Sequence, residues 1–355
     1  MSVVTGQLGA PMTSGAPATA SSLSADVVIC TYTLARWEVF ARAVESVLRQ
    51  EVVPQRLIIV VDHNEDLLAR CRQEWGADRA DSSVEIVIAA SQFPGRQGSS
   101  RNTALLLARA EIVSFLDDDA VAEPDWLKRL LAVYATCPSA FAVGGASRPN
   151  YGAPRPSWFP ADFDWVFGCH YQSLPDSLAP VRRLIGTSMS VRREAMLAVG
   201  GFHADDYDDM DLSHRIAHAH GPAAVLYEPR AEVHHYVPPE RMTWSYFWRR
   251  CYFVNRNKVG AFADMGEGGN IRAELRFGAG VLLTLVTALL AAVTGRPERL
   301  RQAVAAVLGL ALGGCGFVAG RVHLARGRRP EVLTTGLSDA DVREALATVP
   351  ATDSA

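Results

Sequence analysis

“GSSRNTALLLARAEIVSFLDDDAVAEPDWL”, residues 98–127, joins a helix, a strand and an acidic turn without a spare residue between them. “SSRNTALLLARA” reads as a helix with Ser99 or Ser100 as its N-cap, and “EIVSFL” as a short buried strand. Asp117, Asp118 and Asp119 then stand side by side, where like charges disfavour ionisation unless a cation or hydrogen-bond donors offset them. A solvated turn with one Asp capping the next helix is one reading of that cluster. A divalent-metal site at a strand end is the other. Pro124 follows where the first turn of a helix tolerates proline, and “DWLKRLLAVYA” continues that helix.

Working outward, the same alternation extends back to Asp26. “DVVIC” is a β-branched run, and “ARWEVFARAVESVLRQ” places Val39, Phe40, Ala43, Val44, Val47 and Leu48 at helical spacing. “RLIIVVD”, “NEDLLARCRQEW” and “VEIVIA” repeat the strand–helix–strand order. Such alternation predicts parallel pairing and a sheet covered on both faces, with ligands bound at the carboxyl ends of the strands. Three polar features fall at those ends: Thr31-Tyr32-Thr33, Asp62-His63-Asn64 and the Asp cluster. Each alone is also ordinary turn chemistry.

The formal charge of −3 gives no basic field, so nucleic acid is not an expected partner. Six cysteines without C-x-x-C pairs argue against a zinc module or a disulfide framework and suit a reducing compartment. Residues 1–24, rich in Ser, Thr, Ala, Gly and Pro, are expected to form a disordered tail. Between 137 and 182 the chain reads as an irregular, proline-rich connection studded with aromatics such as Trp158, Phe163 and Trp165. “RMTWSYFWRRCYFVNRNKVG” reads as an amphipathic helix whose aromatics and basic residues suit a membrane interface. Residues 277–294 and 303–320 are charge-free apolar runs bracketed by arginines, each about long enough to cross a bilayer core. They predict a membrane-associated helical hairpin over 261–329, followed by a C-terminal tail over 330–355. A buried hairpin of a soluble protein is the competing reading.

Four blocks in order, “VVICTYT…AVESVLRQ…LIIVVDHN”, “GSSRNTALLLARAEIVSFLDDDAVAEPDWL”, “GTSMSVRREAMLAVGGF” and “YDDMDLSHRI”, resemble a family 2 glycosyltransferase of the GT-A fold, over about 25–260. “VICTYT” with “IVVDHN” resembles the prokaryotic members that are glucosyl-dolichyl-phosphate glucuronosyltransferases. The resemblance implies a GT-A α/β domain and transfer from a nucleotide-diphosphate sugar with Mn²⁺ or Mg²⁺. It maps the D-x-D of the family onto Asp117 and Asp119, with Asp119 on the cation and Asp117 on the ribose and metal side. Thr31, Tyr32 and Asp62 then correspond to the nucleotide pocket, Arg101 touches the diphosphate or fixes Asp117, and Asp118, between the two, belongs to the donor site. In “DDYDDMDL”, Asp209 matches the catalytic base, Asp208 replaces the usual Glu, and Asp211 caps or orients. In “EVHHY”, His235 keeps the register of the histidine that completes the metal or diphosphate site. “HRIAHAH” lacks a Glu companion and reads as a solvated helix face.

The implied activity is inverting, metal-dependent sugar transfer to a lipid-linked or glycan acceptor on the cytoplasmic face of the cell membrane. Two alternatives stand beside it: a non-catalytic membrane scaffold on a transferase fold, and a processive polysaccharide synthase, for which the Q-x-x-R-W string is missing.

Overall fold

A computed structural model describes residues 23–76, 84–94, 96–171, 174–204, 207–264, 297–328 and 334–347. The apolar run 277–294 and the tail over 1–22 lie outside these residues.

The first half follows the expected alternation: β1 (Ala25–Thr31), α1 (Trp37–Leu48), β2 (Arg56–Val61), α2 (Glu65–Trp75), β3 (Glu85–Ala90), α3 (Gln97–Leu107) and β4 (Ile112–Asp117). These four strands are parallel, ordered β3-β2-β1-β4, because each helical crossover returns the chain in the same direction. All of β2 is buried, as a strand covered on both faces must be. Leu57, Ile59 and Val61 pack with α1 and α2, whereas Ile58 and Val60 pack with α3. Each such buried aliphatic contributes about 1.5–3 kcal/mol relative to exposure.

Beyond β4 the sheet stops being parallel. β5 (Ala120–Ala122), α4 (Trp126–Thr136), β6 (Ala142–Tyr151), β7 (Ala179–Pro180), β8 (Ser188–Arg192), α5 (Arg193–Ala198), α6 (Asp208–His220) and β9 (Val225–Val237) complete it. The order is β3-β2-β1-β4-β8-β6-β9-β5, with β7 on β9. β8 is antiparallel to both β4 and β6, β6 is parallel to β9, and β5 is antiparallel to β9.

Three local expectations need correction. Helix α3 begins at Gln97, so Ser99 and Ser100 lie inside its first turn, and Ser99 Oγ donates to Pro94 O at 2.6 Å. Pro124 precedes α4, which starts at Trp126. The “irregular” stretch contains ten-residue β6, whose Gly144-Gly145 and Pro149 disguise it. Gly145 is required because a Cβ there would lie 2.2 Å from Ala231 O, beside the bulge that follows it. The rest of that stretch supplies Phe159, Phe163 and Phe167 to a third apolar cluster with Phe247 and Ala306.

Those last two residues belong to α7 (Trp244–Asp264) and α8 (Pro297–Ala325). A Cβ on Gly309 would meet Phe247, one on Gly313 would meet Asn255, and one on Gly320 would meet Val259. The contacts advance together along both helices, so α7 and α8 run parallel, with small residues allowing the close approach. Arg299–Ala325, whose most apolar 18-residue stretch has a mean hydropathy of 2.0, is long and apolar enough to cross a membrane by length and composition. Valines 304, 307, 318 and 322 are exposed on it.

After α8 the chain comes back to the sheet. Leu337 N–H donates to Gly200 O at 2.8 Å, and Asn102 Nδ2 donates to Thr335 O at 3.3 Å. A short helix, α9 (Asp339–Ala347), follows, and Ala345 sits in the core with its carbonyl accepting from Arg193.

Candidate active site

The carboxyl ends of β1 and β4, the start of α6 and the inner face of α7 enclose a cavity of about 530 Å³. Thr31, Tyr32, Asp62, Arg101, Asp117, Asp118, Asp119, Asp208, Asp209 and His235 all line it. Pairing of β1 with β4 in the register Cys30↔Asp117 puts the Asp cluster level with Thr31. Thr31 Oγ1 then donates to Asp118 Oδ2 at 2.8 Å. Burial raises the Asp118 carboxyl to about 7, with Asp119 adding to the rise and Arg36 opposing it.

Asp119 is held from three sides. Arg36 Nη1 donates to its Oδ2 at 2.8 Å, His235 Nε2 lies 3.1 Å from its Oδ1, and Arg241 Nη2 is 3.8 Å from Oδ2. Burial alone would raise this carboxyl, but His235 and the two arginines hold it at about 2. Burial likewise disfavours a charged His235, yet Asp119 raises it well above the ordinary histidine value. The position of His235 comes from β5 pairing with β9, where Ala120 faces His235. Strand alternation sends His234 to the other face, where it meets Glu123 at 2.7 Å.

Arg101 joins the two acidic clusters. Only 3% exposed, it donates to Asp117 Oδ1 at 2.8 Å, to Asp208 Oδ2 at 2.7 Å and to Gly186 O at 2.9 Å. Burial raises the Asp208 carboxyl to about 6 against the pull of Arg101. Asp209 stands on the cavity side of the same helix start, its Oδ2 accepting Gly186 N–H at 2.8 Å. Asp211 is not brought in. It pairs with Arg215 at 2.7 Å, and Arg215 in turn donates to Gly201 O.

Tyr32 is 58% exposed, with the Arg36 guanidinium 4.9 Å from its ring centroid, and its carbonyl accepts from Asn64 Nδ2. Asp62 bonds to the ring of His63, whose φ of 47° turns the chain at the end of β2. The His214, His218 and His220 series stays outside the cavity, and His220 stacks on Phe141.

Sequence reasoning missed Arg36 and Arg241. The signal for Arg36 was a basic residue in the turn after β1, within a stretch read as the start of the first helix.

The donor chemistry fits a divalent cation. The Asp117 and Asp119 carboxylates and the His235 imidazole all line the cavity, and Asp119 and His235 already present an oxygen and a nitrogen 3.1 Å apart. Among the described residues no three such groups form a closed cage. Mg²⁺-type sites commonly take only one or two carboxylates and complete their shell with substrate phosphates.

Comparison with known proteins gives the family and the fold. The model of the “Glycosyltransferase like family 2” family matches residues 25–252. The chain is 34% identical over 232 residues to the glucosyl-dolichyl phosphate glucuronosyltransferase of Haloferax volcanii, covering 65% of this chain and 72% of that protein. It is 26% identical over 260 residues to the succinoglycan biosynthesis protein ExoM of Rhizobium meliloti, covering 70% and 78%. Among solved structures it superposes on the mannosyltransferase PcManGT of Pyrobaculum calidifontis, in complex with GDP-Man and Mn²⁺, with a TM-score of 0.55. That match has 18% identity and covers 83% of this chain and 87% of the other, a likeness of fold.

Proposed function

The chain belongs to glycosyltransferase family 2, and we propose that it transfers a sugar, with inversion, from a nucleotide-diphosphate sugar to a hydroxyl of a lipid-linked or glycan acceptor. One observation carries this reading: the Asp117–Asp119 cluster and Asp209 face one cavity, and buried Arg101 ties Asp117 to Asp208, the neighbour of Asp209. A structural turn and a helix start would need no such bridge.

In the proposed reaction Thr31, Tyr32 and Asp62 receive the nucleoside, Tyr32 offering an aromatic face and Asp62 a carboxylate for a base or ribose hydrogen. Asp119, Asp117 and His235 would hold a Mn²⁺ or Mg²⁺ ion, which when bound offsets the charge of the leaving diphosphate. Arg36 and Arg241, now on Asp119, bring positive charge beside that position. Asp208 is locked by Arg101 and serves to place its neighbour. Asp209 takes the proton of the acceptor hydroxyl as that oxygen attacks the anomeric carbon and the diphosphate leaves from the opposite face. A single displacement inverts the configuration. Asp211, paired with Arg215 away from the cavity, steadies the helix start.

We take residues 25–260 as the transferase unit and 261–329 as its membrane-associated part, on the cytoplasmic face where nucleotide sugars are made. The exposed valines of α8, the exposed Trp248 and Phe253 of α7 and the absence of any disulfide among the six cysteines support this placement. Lipid-linked and cell-surface glycans are the acceptors such a position serves.

The test is a panel of nucleotide sugars incubated with full-length protein in detergent and a lipid-linked sugar acceptor. Diphosphate release that requires Mn²⁺ or Mg²⁺ and stops on chelation is expected, with an inverted linkage by NMR. A retained linkage, or full transfer in chelator, would overturn the reading.

A further inference from the structure

Helix α7 contributes Tyr246, Arg250 and Val254 to the cavity, spaced four apart and therefore on one face. Arg250 differs from the other arginines discussed above. Arg101 is bound to Asp117 and Asp208, and Arg36 and Arg241 lie on Asp118 and Asp119. The Arg250 guanidinium makes no ion pair or hydrogen bond to any described residue, and its Nε is shut off from solvent without a partner. Its helix neighbours Phe247 and Cys251 are fully buried, so the root of this side chain lies against an apolar layer. A partly desolvated cation without an acceptor is unfavourable, and structures keep one where a ligand supplies the missing anion.

We infer that Arg250 is the receiving group for a phosphate in this cavity. A planar guanidinium lining the cavity matches a phosphate in bidentate fashion, and no carboxylate among the described residues pairs with it. Two sources carry that chemistry. One is the diphosphate of the donor. The other is a phosphate on a lipid, since Trp248 and Phe253 of the same helix are 45% and 42% exposed and offer apolar surface to a lipid chain. The choice between these sources rests on the proposed transfer reaction; the anion site itself does not.

The experiment titrates full-length protein in detergent, as wild type, Arg250→Gln and Arg250→Lys, with three probes. These are inorganic pyrophosphate, UDP or GDP with Mn²⁺, and farnesyl phosphate with farnesol as its uncharged control. Arg250→Gln is expected to lose at least about tenfold in affinity for one or more of the phosphates, the weak end of a charge-assisted hydrogen bond. Arg250→Lys should keep part of it. Loss confined to the nucleotide assigns the donor diphosphate, and loss confined to farnesyl phosphate assigns a lipid head group. Thermal stability of the ligand-free Gln variant should be unchanged or higher, because an uncompensated charge has been removed. Unchanged affinity for all three phosphates, or a destabilised variant with intact affinities, would overturn the inference. A wild type that binds phosphates through Arg250 yet transfers no sugar would overturn the proposed function and leave the anion site standing.

Discussion

Replacing Arg101 with Met tests the bridge on which the site is built. The side chain is buried, and its removal leaves Asp117 and Asp208 facing each other with Gly186 O also unpaired. Removing one partner of a buried ion pair typically costs about 3–5 kcal/mol, far more than an exposed pair would. At about 2–4 °C per kcal/mol for domains of 150–250 residues, the melting temperature should fall by on the order of 10 °C at neutral pH. The loss should depend on pH with a definite sign. Burial already raises the Asp208 carboxyl to about 6 with Arg101 opposing, and the variant removes the opposition. Its folded-state value then lies further above the unfolded one, so the folded form binds more protons and the variant gains stability as pH falls. The deficit should therefore be largest above pH 7 and shrink toward pH 5. Melting curves of wild type, Arg101→Met and Arg101→Met/Asp208→Asn across that range measure it, and the double variant should recover much of the loss. A deficit that is equal at pH 5 and pH 7.5, or one that Asp208→Asn does not relieve, would refute the argument that Arg101 acts by holding these carboxylates.

Asp209→Asn should lower turnover by roughly 10²- to 10⁴-fold while calorimetric donor affinity stays near wild type, because the base acts on the acceptor and not on the diphosphate. Near-normal turnover in Asp209→Asn with a dead Asp208→Asn would move the base by one residue. Asp119→Asn should abolish the Mn²⁺-dependent part of nucleotide binding in the same calorimetry, and unchanged affinity with Mn²⁺ would remove Asp119 from the cation site. Gly201 has a φ of +70°, and a Cβ there would lie 2.4 Å from Asn102 Oδ1. Gly201→Ala should cost at least about 1–2 kcal/mol from the left-handed backbone alone. By pushing on Asn102, which neighbours Arg101 and holds the returning C-terminal segment, it should also reduce turnover; a melting temperature equal to wild type would contradict the close packing.

Local pattern and sterics settle a definite part of this protein. The apolar run of β2, the amphipathic face of α1 and the strand that ends at Asp117 are legible because each is encoded within a dozen residues by periodicity and turn chemistry. Both acidic clusters, and the preference for His235 over His234, were also on the page, the latter through the motif that surrounds it. What the sequence leaves open is every relation between distant segments. Strand β6 hides its pattern because Gly144, Gly145 and Pro149 answer to neighbours on β8 and β9 and not to a local period. Arg36 becomes a partner of Asp118 and Asp119 only when the turn after β1 lies beside the end of β4, eighty residues away in the chain. Arg101 can bridge Asp117 and Asp208 only because α3 and α6 start at the same edge of the sheet. The return of residues 334–347 to the sheet answers likewise to Gly200 and Asn102, far upstream. Burial is the physical reason: an isolated Arg–Asp contact is worth little in water, and only the folded sheet excludes enough solvent to make these pairings decisive.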